Sequence, residues 1–81
     1  MSETDYETLP IRDEMIRLGQ ALKLASLAED GNHAKHLVSE GQVTVNGTVD
    51  TRRGAQLHPG DVIAVVGAEF PPVKIVQEGR R

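Results

Sequence analysis

The chain has 81 residues, a formal net charge of −3, no cysteine and only two aromatic side chains. A chain of this length forms one small domain, without the deep cleft between two lobes that many enzymes use. The absence of cysteine excludes disulfides, thiolate metal sites and cysteine nucleophiles. No apolar run approaches the roughly 20 residues that cross a bilayer, and the acidic start differs from a signal peptide. We therefore expect a cytoplasmic protein with no membrane partner.

The charge is distributed unevenly along the chain. Glu3, Asp5 and Glu7 contribute −3 near the start. Residues 12–65 hold six basic and seven acidic side chains, so this part of the chain is nearly neutral. A neutral domain can still carry a basic face if acids and bases segregate in three dimensions. Charge alone therefore leaves nucleic-acid binding open without favouring it.

The first predicted helix has two possible starting points. The apolar residues between 11 and 25 keep the spacing of a helix face, which favours one long helix from Asp13. Gly19 costs roughly 1 kcal/mol inside a helix, which favours an extended segment at 16–18 and a helix that begins near Gly19. Under either interpretation residues 21–28 are predicted to be helical.

A second, shorter helix is predicted at residues 32–40. Asp30 or Asn32 can cap its start. Gly41 follows its end, where a helix commonly needs a residue with a left-handed backbone. A helix this short is not stable alone, so we expect it to pack against the first helix.

The rest of the chain predicts short strands joined by tight turns. Alternating valines at 43–45 lead to Asn46-Gly47, the strongest short signal for a two-residue hairpin. The second strand of this hairpin should be very short. Residues 58–61 fit a type II turn, and strands are predicted at 62–66 and 73–76. The fold class is therefore α+β, with two short packed helices followed by a small, mostly antiparallel sheet of three to five short strands.

The same patterns divide the chain into three parts. Residues 1–10 are polar and acidic, end at a proline and are predicted to form a flexible arm. Residues 11–76 are predicted to form the single folded domain. Residues 77–81 are predicted to form a polar tail.

Two stretches of the chain resemble the ribosomal protein S4 family of RNA-binding domains, in particular its small stand-alone bacterial members. They are LGQALKLASLAEDGNHAKHLVSEGQVTVNG and TRRGAQLHPGDVIAV, within residues 16–66. The order and spacing of three groups carry the resemblance: Ala34 with Leu37-Val38, Gly41-Gln42-Val43 with Val45-Asn46-Gly47, and Gly60-Asp61-Val62-Ile63.

The resemblance implies an αL-type RNA-binding motif, in which the helix pair and the adjoining loop bind structured RNA of a ribosomal or transfer RNA type. It also favours the later start of the first helix, near Gly19. Carried over by position, the implied basic contacts are Lys23, Lys35, Arg52 and Arg53. Many relatives have a Ser-Arg step where this chain has Asp30-Gly31, so one usual cation is missing.

Further RNA contacts are predicted around the start of the second helix. The free amides of Gly31, Asn32 and His33 lie at the positive end of the helix dipole, where phosphate can bind. Asp30 would compete for the same amides. His33 and His36 are candidate exposed donors, and two histidines alone fall short of a metal site.

The scarcity of aromatic residues restricts the mode of recognition. With only Tyr6 and Phe70, the chain offers no platform on which single-stranded bases can stack. We therefore expect binding to the backbone and shape of structured RNA. If about four phosphates are neutralised, the logarithm of affinity should fall against log salt with a slope of roughly −3 to −4.

These observations leave one main function and one alternative. The main one is a non-catalytic, monomeric RNA-binding protein with no cofactor and no small-molecule substrate, since the sequence offers no nucleophile–base pair or metal set. The alternative is a β-grasp protein-interaction or sulfur-carrier domain, suggested by VNG followed by LHPGDVIAV. Such a carrier needs a terminal Gly-Gly, whereas this chain ends at Glu78-Gly79-Arg80-Arg81, and its helices precede the sheet.

Overall fold

The computed structural model describes residues 7–67 and 70–78, and this part of the chain contains two helices and seven short strands. In chain order the elements are β1 (Glu7–Ile11), β2 (Ile16–Arg17), α1 (Leu18–Leu24), α2 (Gly31–Ser39), β3 (Val43–Val45), β4 (Thr48–Val49), β5 (Gln56–Leu57), β6 (Val62–Val65) and β7 (Val73–Gln77).

Five of these strands form one sheet in the order β1-β7-β6-β3-β4. All its neighbours are antiparallel except β1 and β7, which run parallel. The remaining strands, β2 and β5, form a separate antiparallel pair that places Ile16 opposite Leu57. The predicted α+β class, with two packed helices and a small mostly antiparallel sheet, is confirmed. Strand β1, which precedes the helices, was not predicted, whereas β2 falls within the extended segment at 16–18 that the later helix start implied.

Strand β1 corrects the predicted extent of the flexible arm. Residues 7–10 belong to this strand, and Leu9 and Ile11 point into the core. Pro10 has no N–H to donate, so a strand that contains it is expected at a sheet edge, which is where β1 lies. The burial of alternate apolar residues therefore outweighs the acidic composition there. The rest of the predicted arm, residues 1–6, lies outside the described residues.

The end of the domain also extends further than predicted. Gln77, which the sequence assigned to the polar tail, is the last residue of β7. Its side-chain amide donates hydrogen bonds to the carbonyl oxygens of Ile11 and Arg12, each at 3.1 Å. These hydrogen bonds connect the end of β7 to the end of β1, so Gln77 belongs to the folded domain. Residues 79–81 lie outside the described residues.

Helix α1 begins at Leu18, so the later start is confirmed and the long helix from Asp13 is wrong. The helix ends at Leu24, and the prediction of a helix through residue 28 is also wrong. Ser26 has a positive φ of 63°, which breaks the helix and turns the chain back. The amides of residues 27 and 28 then both donate to the carbonyl of Leu22, at 2.9 and 3.1 Å.

Helix α2 agrees with the sequence to within one residue at each end. The carboxylate of Asp30 accepts a hydrogen bond from the backbone N–H of His33 at 2.8 Å, so Asp30 is the capping residue. Gly41 follows the helix with a φ of +73°, as predicted for a left-handed stop.

The hairpin between β3 and β4 is confirmed. Asn46 and Gly47 have φ values of 54° and 86°, which a two-residue type I′ turn requires. Strand β4 has only two residues, as expected. The Asn46 side chain also accepts a hydrogen bond from the N–H of Val62 at 3.0 Å and donates one to Asp61 at 3.1 Å. Asn46 and Asp61 therefore hold two turns together.

The core lies between the helix pair and the sheet. Its largest fully buried side chains come from α1, α2 and four strands: Leu18, Leu22, Leu57, Ile63, Ile75, Val38 and Val43. This packing sets α1 and α2 side by side on one side of the domain. Neither helix in the described ranges has the length or the apolar character needed to cross a bilayer.

Candidate nucleic-acid interface

An open groove of about 470 Å³ lies between α1, α2 and the loop that follows β4. Four cationic side chains line it: Arg17 at the end of β2, Lys23 on α1, Lys35 on α2, and Arg53 in the loop. Among residues 7–67 and 70–78, no Asp or Glu lines it. We call the surface formed by these four side chains the basic groove. Acids and bases are thus segregated here, although the chain as a whole is acidic.

Helical periodicity explains how the two lysines reach the same groove. On α1, Gly19 and Lys23 are four residues apart, and both line it. On α2, Gly31 and Lys35 have the same separation and also line it. Residues four apart lie on one face of a helix. Because the buried faces of α1 and α2 pack on the core, these neighbouring faces meet at the groove.

The loop that carries Arg53 is fastened to the start of α1. The N–H of Gly19 donates to the carbonyl of Arg53 at 3.0 Å, and the N–H of Leu18 donates to the carbonyl of Ala55 at 2.9 Å. These amides belong to the first turn of a helix, which offers them no partner within the helix. The loop satisfies them, and Arg53 is consequently held beside α1.

Arg17 is the cation of the groove that the sequence did not predict. One guanidinium nitrogen, Nη1, donates to the carbonyl of Gly54 at 3.0 Å. Its side chain reaches the groove because β2 pairs with β5, which places Arg17 opposite Gln56, 39 positions further along the chain. A local sequence pattern does not report such a pairing. The only local signal was the extended segment at 16–18, which ends immediately before α1.

The start of α2 contributes backbone donors to the groove. Gly31 and Asn32 both line it, and within the described ranges no acceptor is found for their amides. The third amide, that of His33, is bound by Asp30. Asp30 is not among the residues that line the groove. Its carboxylate therefore occupies one of the three predicted amides and leaves two available.

The two predicted histidines lie outside the groove. The ring nitrogen Nδ1 of His33 accepts a hydrogen bond from the N–H of Glu29 at 3.1 Å, which ties His33 to the turn before α2. His36 is exposed on α2 and does not line the groove.

Arg52 forms an ion pair with Asp50 and lies outside the groove. Its Nε and Nη2 donate to the two carboxylate oxygens of Asp50 at 3.1 and 3.0 Å, and its backbone N–H donates to Oδ1 at 2.9 Å. These hydrogen bonds lower the pKa of Asp50 and raise the pKa of Arg52. Arg52 does not line the groove.

The structure thus brings together five of the eight residues predicted to contact RNA. Lys23, Lys35, Arg53, Gly31 and Asn32 line the groove, whereas Arg52, His33 and His36 do not. RNA contact at each of the eight positions stays a prediction.

Comparisons of the sequence identify relatives over most of the domain. The family model described as "S4 domain" matches residues 9–71. A Bacillus subtilis protein described as probable ribosome maturation protein RlbA is 48% identical over 59 residues, covering 73% of this chain and 83% of that protein. The Escherichia coli K12 protein YbcJ, described as a putative RNA-binding protein, is 36% identical over 52 residues, covering 64% of this chain and 74% of YbcJ.

Solved structures give the same result for the fold. The solution structure of Escherichia coli YbcJ, described as revealing an αL motif involved in RNA binding, superposes with a TM-score of 0.58 and 30% identity, covering 94% of this chain and 91% of YbcJ. The 30S ribosomal protein S4e of Thermoplasma acidophilum shares the fold with a TM-score of 0.53 and 22% identity, over 69% of this chain and 30% of S4e. These matches disfavour the β-grasp alternative. The chain belongs to the S4 domain family.

Proposed function

We propose that this protein binds the phosphate backbone of structured RNA in the basic groove and catalyses no reaction. One observation carries the proposal: four cations from separate parts of the chain line one open groove that no described carboxylate enters. Membership of the S4 domain family supports it. So do the descriptions of YbcJ as a putative RNA-binding protein and of its αL motif as involved in RNA binding.

The four side chains have complementary roles in this proposal. The planar guanidinium groups of Arg17 and Arg53 can bind phosphate through two parallel hydrogen bonds, whereas Lys23 and Lys35 act as mobile point charges. If each cation neutralises one phosphate of a duplex, the slope of log affinity against log salt should be about −3.6.

The start of α2 adds uncharged hydrogen-bond donors to these four cations. The amides of Gly31 and Asn32 lie at the positive end of a nine-residue helix, where phosphate is favoured. An added Cβ at Gly31 would meet no atom within 4 Å, so a phosphate can approach this backbone closely. We propose that one phosphate binds here and that neighbouring phosphates bind the cations.

Recognition in this proposal depends on RNA shape. Phe70 is the only aromatic side chain in the described ranges, and it does not line the groove. The groove therefore offers no surface on which an unpaired base could stack. A duplex or hairpin keeps its phosphates at fixed spacings, which a rigid groove can match. We propose a monomer that binds ribosomal RNA or a transfer RNA-like structure, and the description of the Bacillus relative as a probable ribosome maturation protein favours ribosomal RNA.

An NMR titration tests this function. The ¹⁵N-labelled protein is titrated with an RNA hairpin and with an unstructured RNA of equal length, at two salt concentrations. We expect salt-sensitive shifts at residues 17–23, 31–35 and 53–54, and weaker binding of the unstructured RNA. Shifts confined to β6 and β7, or equal affinity for both RNAs, would contradict the proposal.

Two charge-removing variants provide a matched comparison. Lys35→Ala removes a cation from the groove, whereas Lys74→Ala removes an exposed cation from β7, which does not line it. We expect Lys35→Ala to reduce the salt slope by about 0.9 and Lys74→Ala to leave it unchanged. Equal effects would mean that RNA responds to overall charge and not to the groove.

A further inference from the structure

Gly19 makes an unusually close contact with the side chain of Arg53. A Cβ atom built on Gly19 would lie 2.7 Å from Cγ of Arg53 and 3.3 Å from Cδ. Real Cβ atoms essentially never approach another heavy atom so closely. The aliphatic stem of Arg53 therefore passes across Gly19 in space that only glycine leaves open.

The surrounding backbone would accept a larger residue at this position. Gly19 lies in α1 and does not have a positive φ, so alanine fits its conformation. The same Cβ would lie 3.6 Å from the carbonyl oxygen of Arg53, an ordinary contact that preserves the hydrogen bond from the N–H of Gly19. Helical propensity would favour alanine here. The only atoms that forbid it are those of the Arg53 side chain.

We infer that Gly19 is a positioning residue for RNA binding: its missing side chain lets Arg53 lie across the start of α1 and present its guanidinium to the basic groove. This inference rests on the proposed function. A Cβ at position 19 forces the Arg53 stem to rotate away, while the loop backbone stays fastened to α1. The groove then loses one of its four cations without loss of the fold.

A double-mutant cycle on the full chain tests this inference. Affinity for the RNA hairpin is measured for wild type, Gly19→Ala, Arg53→Ala and the double variant. We expect Arg53→Ala to weaken binding about tenfold and Gly19→Ala about fivefold. The double variant should bind like Arg53→Ala alone, because the side chain that Gly19 positions is already absent.

Thermal unfolding of the same four proteins separates positioning from simple damage to α1. Removing the Arg53 stem removes the clash, so Gly19→Ala should raise the Tm in the Arg53→Ala background. In the presence of Arg53 it should raise the Tm less or lower it. A residue needed only for the stability of α1 would change the Tm equally in both backgrounds.

The outcomes distinguish this inference from the proposed function. If Arg53→Ala leaves the affinity unchanged, the role proposed for Arg53 in the groove is wrong, and the inference fails with it. If Arg53→Ala weakens binding and Gly19→Ala does not, the inference alone is overturned. Effects that multiply to about fiftyfold in the double variant would also overturn it.

A measurement without RNA gives an independent check. In the free wild-type protein we expect nuclear Overhauser effects between the α protons of Gly19 and the γ and δ protons of Arg53. In Gly19→Ala we expect the side-chain Nε–Hε signal of Arg53 to shift, with the backbone signals of residues 53–55 nearly unchanged. Absence of the Overhauser effects in the wild type would overturn the inference.

Discussion

Arg52 and Arg53 are adjacent in sequence, yet they belong to two regions with different electrostatics. Arg52 lies in the segment 50–52, where its guanidinium and its backbone N–H both bind the carboxylate of Asp50. Arg53 lies in the segment 53–55, which is fastened to α1 and whose first two residues line the basic groove. One arginine is neutralised locally, and the other faces a groove without a described acid.

The difference shows that a basic pair in a sequence need not act as a pair. The carboxylate of Asp50 accepts the backbone N–H of the residue two positions on, as in an Asx turn, so it also meets the guanidinium of Arg52 and not that of Arg53. The side chain of Asp50 is also partly buried, with 15% of it exposed. We therefore expect Arg52 chiefly to satisfy Asp50, and the charge offered to RNA to come from Arg53.

The most direct test of this difference between Arg52 and Arg53 is to remove each side chain in turn. We expect Arg53→Ala to weaken binding of an RNA hairpin about tenfold and to reduce the salt slope by about 0.9. Arg52→Ala should weaken binding less than about twofold, because its charge is already paired. Fluorescence anisotropy over a range of salt concentrations measures both quantities. Equal effects of the two substitutions would contradict the separation of the loop into two regions.

The contrast also shows how far the sequence determined the site. Lys23 and Lys35 were predicted from the resemblance to the S4 family, and five of the eight predicted residues line one groove. The pairing of Arg52 has a local signal, since Asp50 lies two residues before it and an aspartate commonly accepts the backbone N–H two residues on. The sequence did not predict Arg17, because its position depends on the pairing of β2 with β5, in which its partner Gln56 lies 39 residues further along the chain.

The prediction of the fold succeeded for similar reasons and was wrong where long-range contacts or an unusual backbone conformation decide the structure. The cap predicted at Asp30 or Asn32, the stop at Gly41 and the turn at Asn46-Gly47 depend on local chemistry. The structure confirms the stop and the turn and shows Asp30 as the cap. Strand β1 was missed because its partner β7 is more than 60 residues away along the chain. The early end of α1 was missed because Ser26 adopts a positive φ that serine rarely takes.

The second prediction concerns Gly31. The resemblance to the S4 family implies a cation at this position, and an arginine substitution would restore it. Space is open there, and Asp30 already binds the N–H of His33. We expect an arginine at this position to act like Arg53, so that Gly31→Arg tightens binding about threefold to fivefold and steepens the salt slope by about 0.9.

Gly31→Gln is the matched control for this substitution, because it adds a long side chain without a charge. The comparison of interest is therefore the affinity of Gly31→Arg relative to Gly31→Gln. If the two variants bind equally, Asp30 neutralises the new arginine, which would then resemble Arg52.

The third prediction removes the ion-pair partner of Arg52, so that its guanidinium, like that of Arg53, has no carboxylate partner in the described ranges. Asp50→Asn removes the acidic partner but keeps an oxygen that can accept the backbone N–H of Arg52. The freed guanidinium should then tighten RNA binding about twofold and steepen the salt slope slightly. The gain should disappear in the double variant with Arg52→Ala. A gain that persists there would show that Asp50 acts through general repulsion of phosphate and not by holding Arg52.

The smallest expected effect is the pH dependence of the Asp50–Arg52 pair. Side-chain and then backbone hydrogen bonds from Arg52 lower the pKa of Asp50 below its ordinary value of 3.8 in the folded protein. A carboxyl group whose pKa is lowered by folding binds fewer protons in the folded than in the unfolded state. The pair therefore contributes stability above about pH 3.8, and this contribution is lost as the pH falls through the lower, folded value.

Thermal unfolding of wild type and Asp50→Asn measures this dependence, since the titration of all other carboxylates is shared and cancels in the difference of the two Tm values. We expect the wild type to have the higher Tm at pH 7 and the difference to shrink below pH 3.8. The same comparison with Arg53→Ala should give a Tm difference without this pH dependence, because Arg53 has no carboxylate partner among the described residues. A difference that stays constant down to pH 2 would mean that Asp50 holds Arg52 through the backbone hydrogen bond alone, which asparagine also accepts.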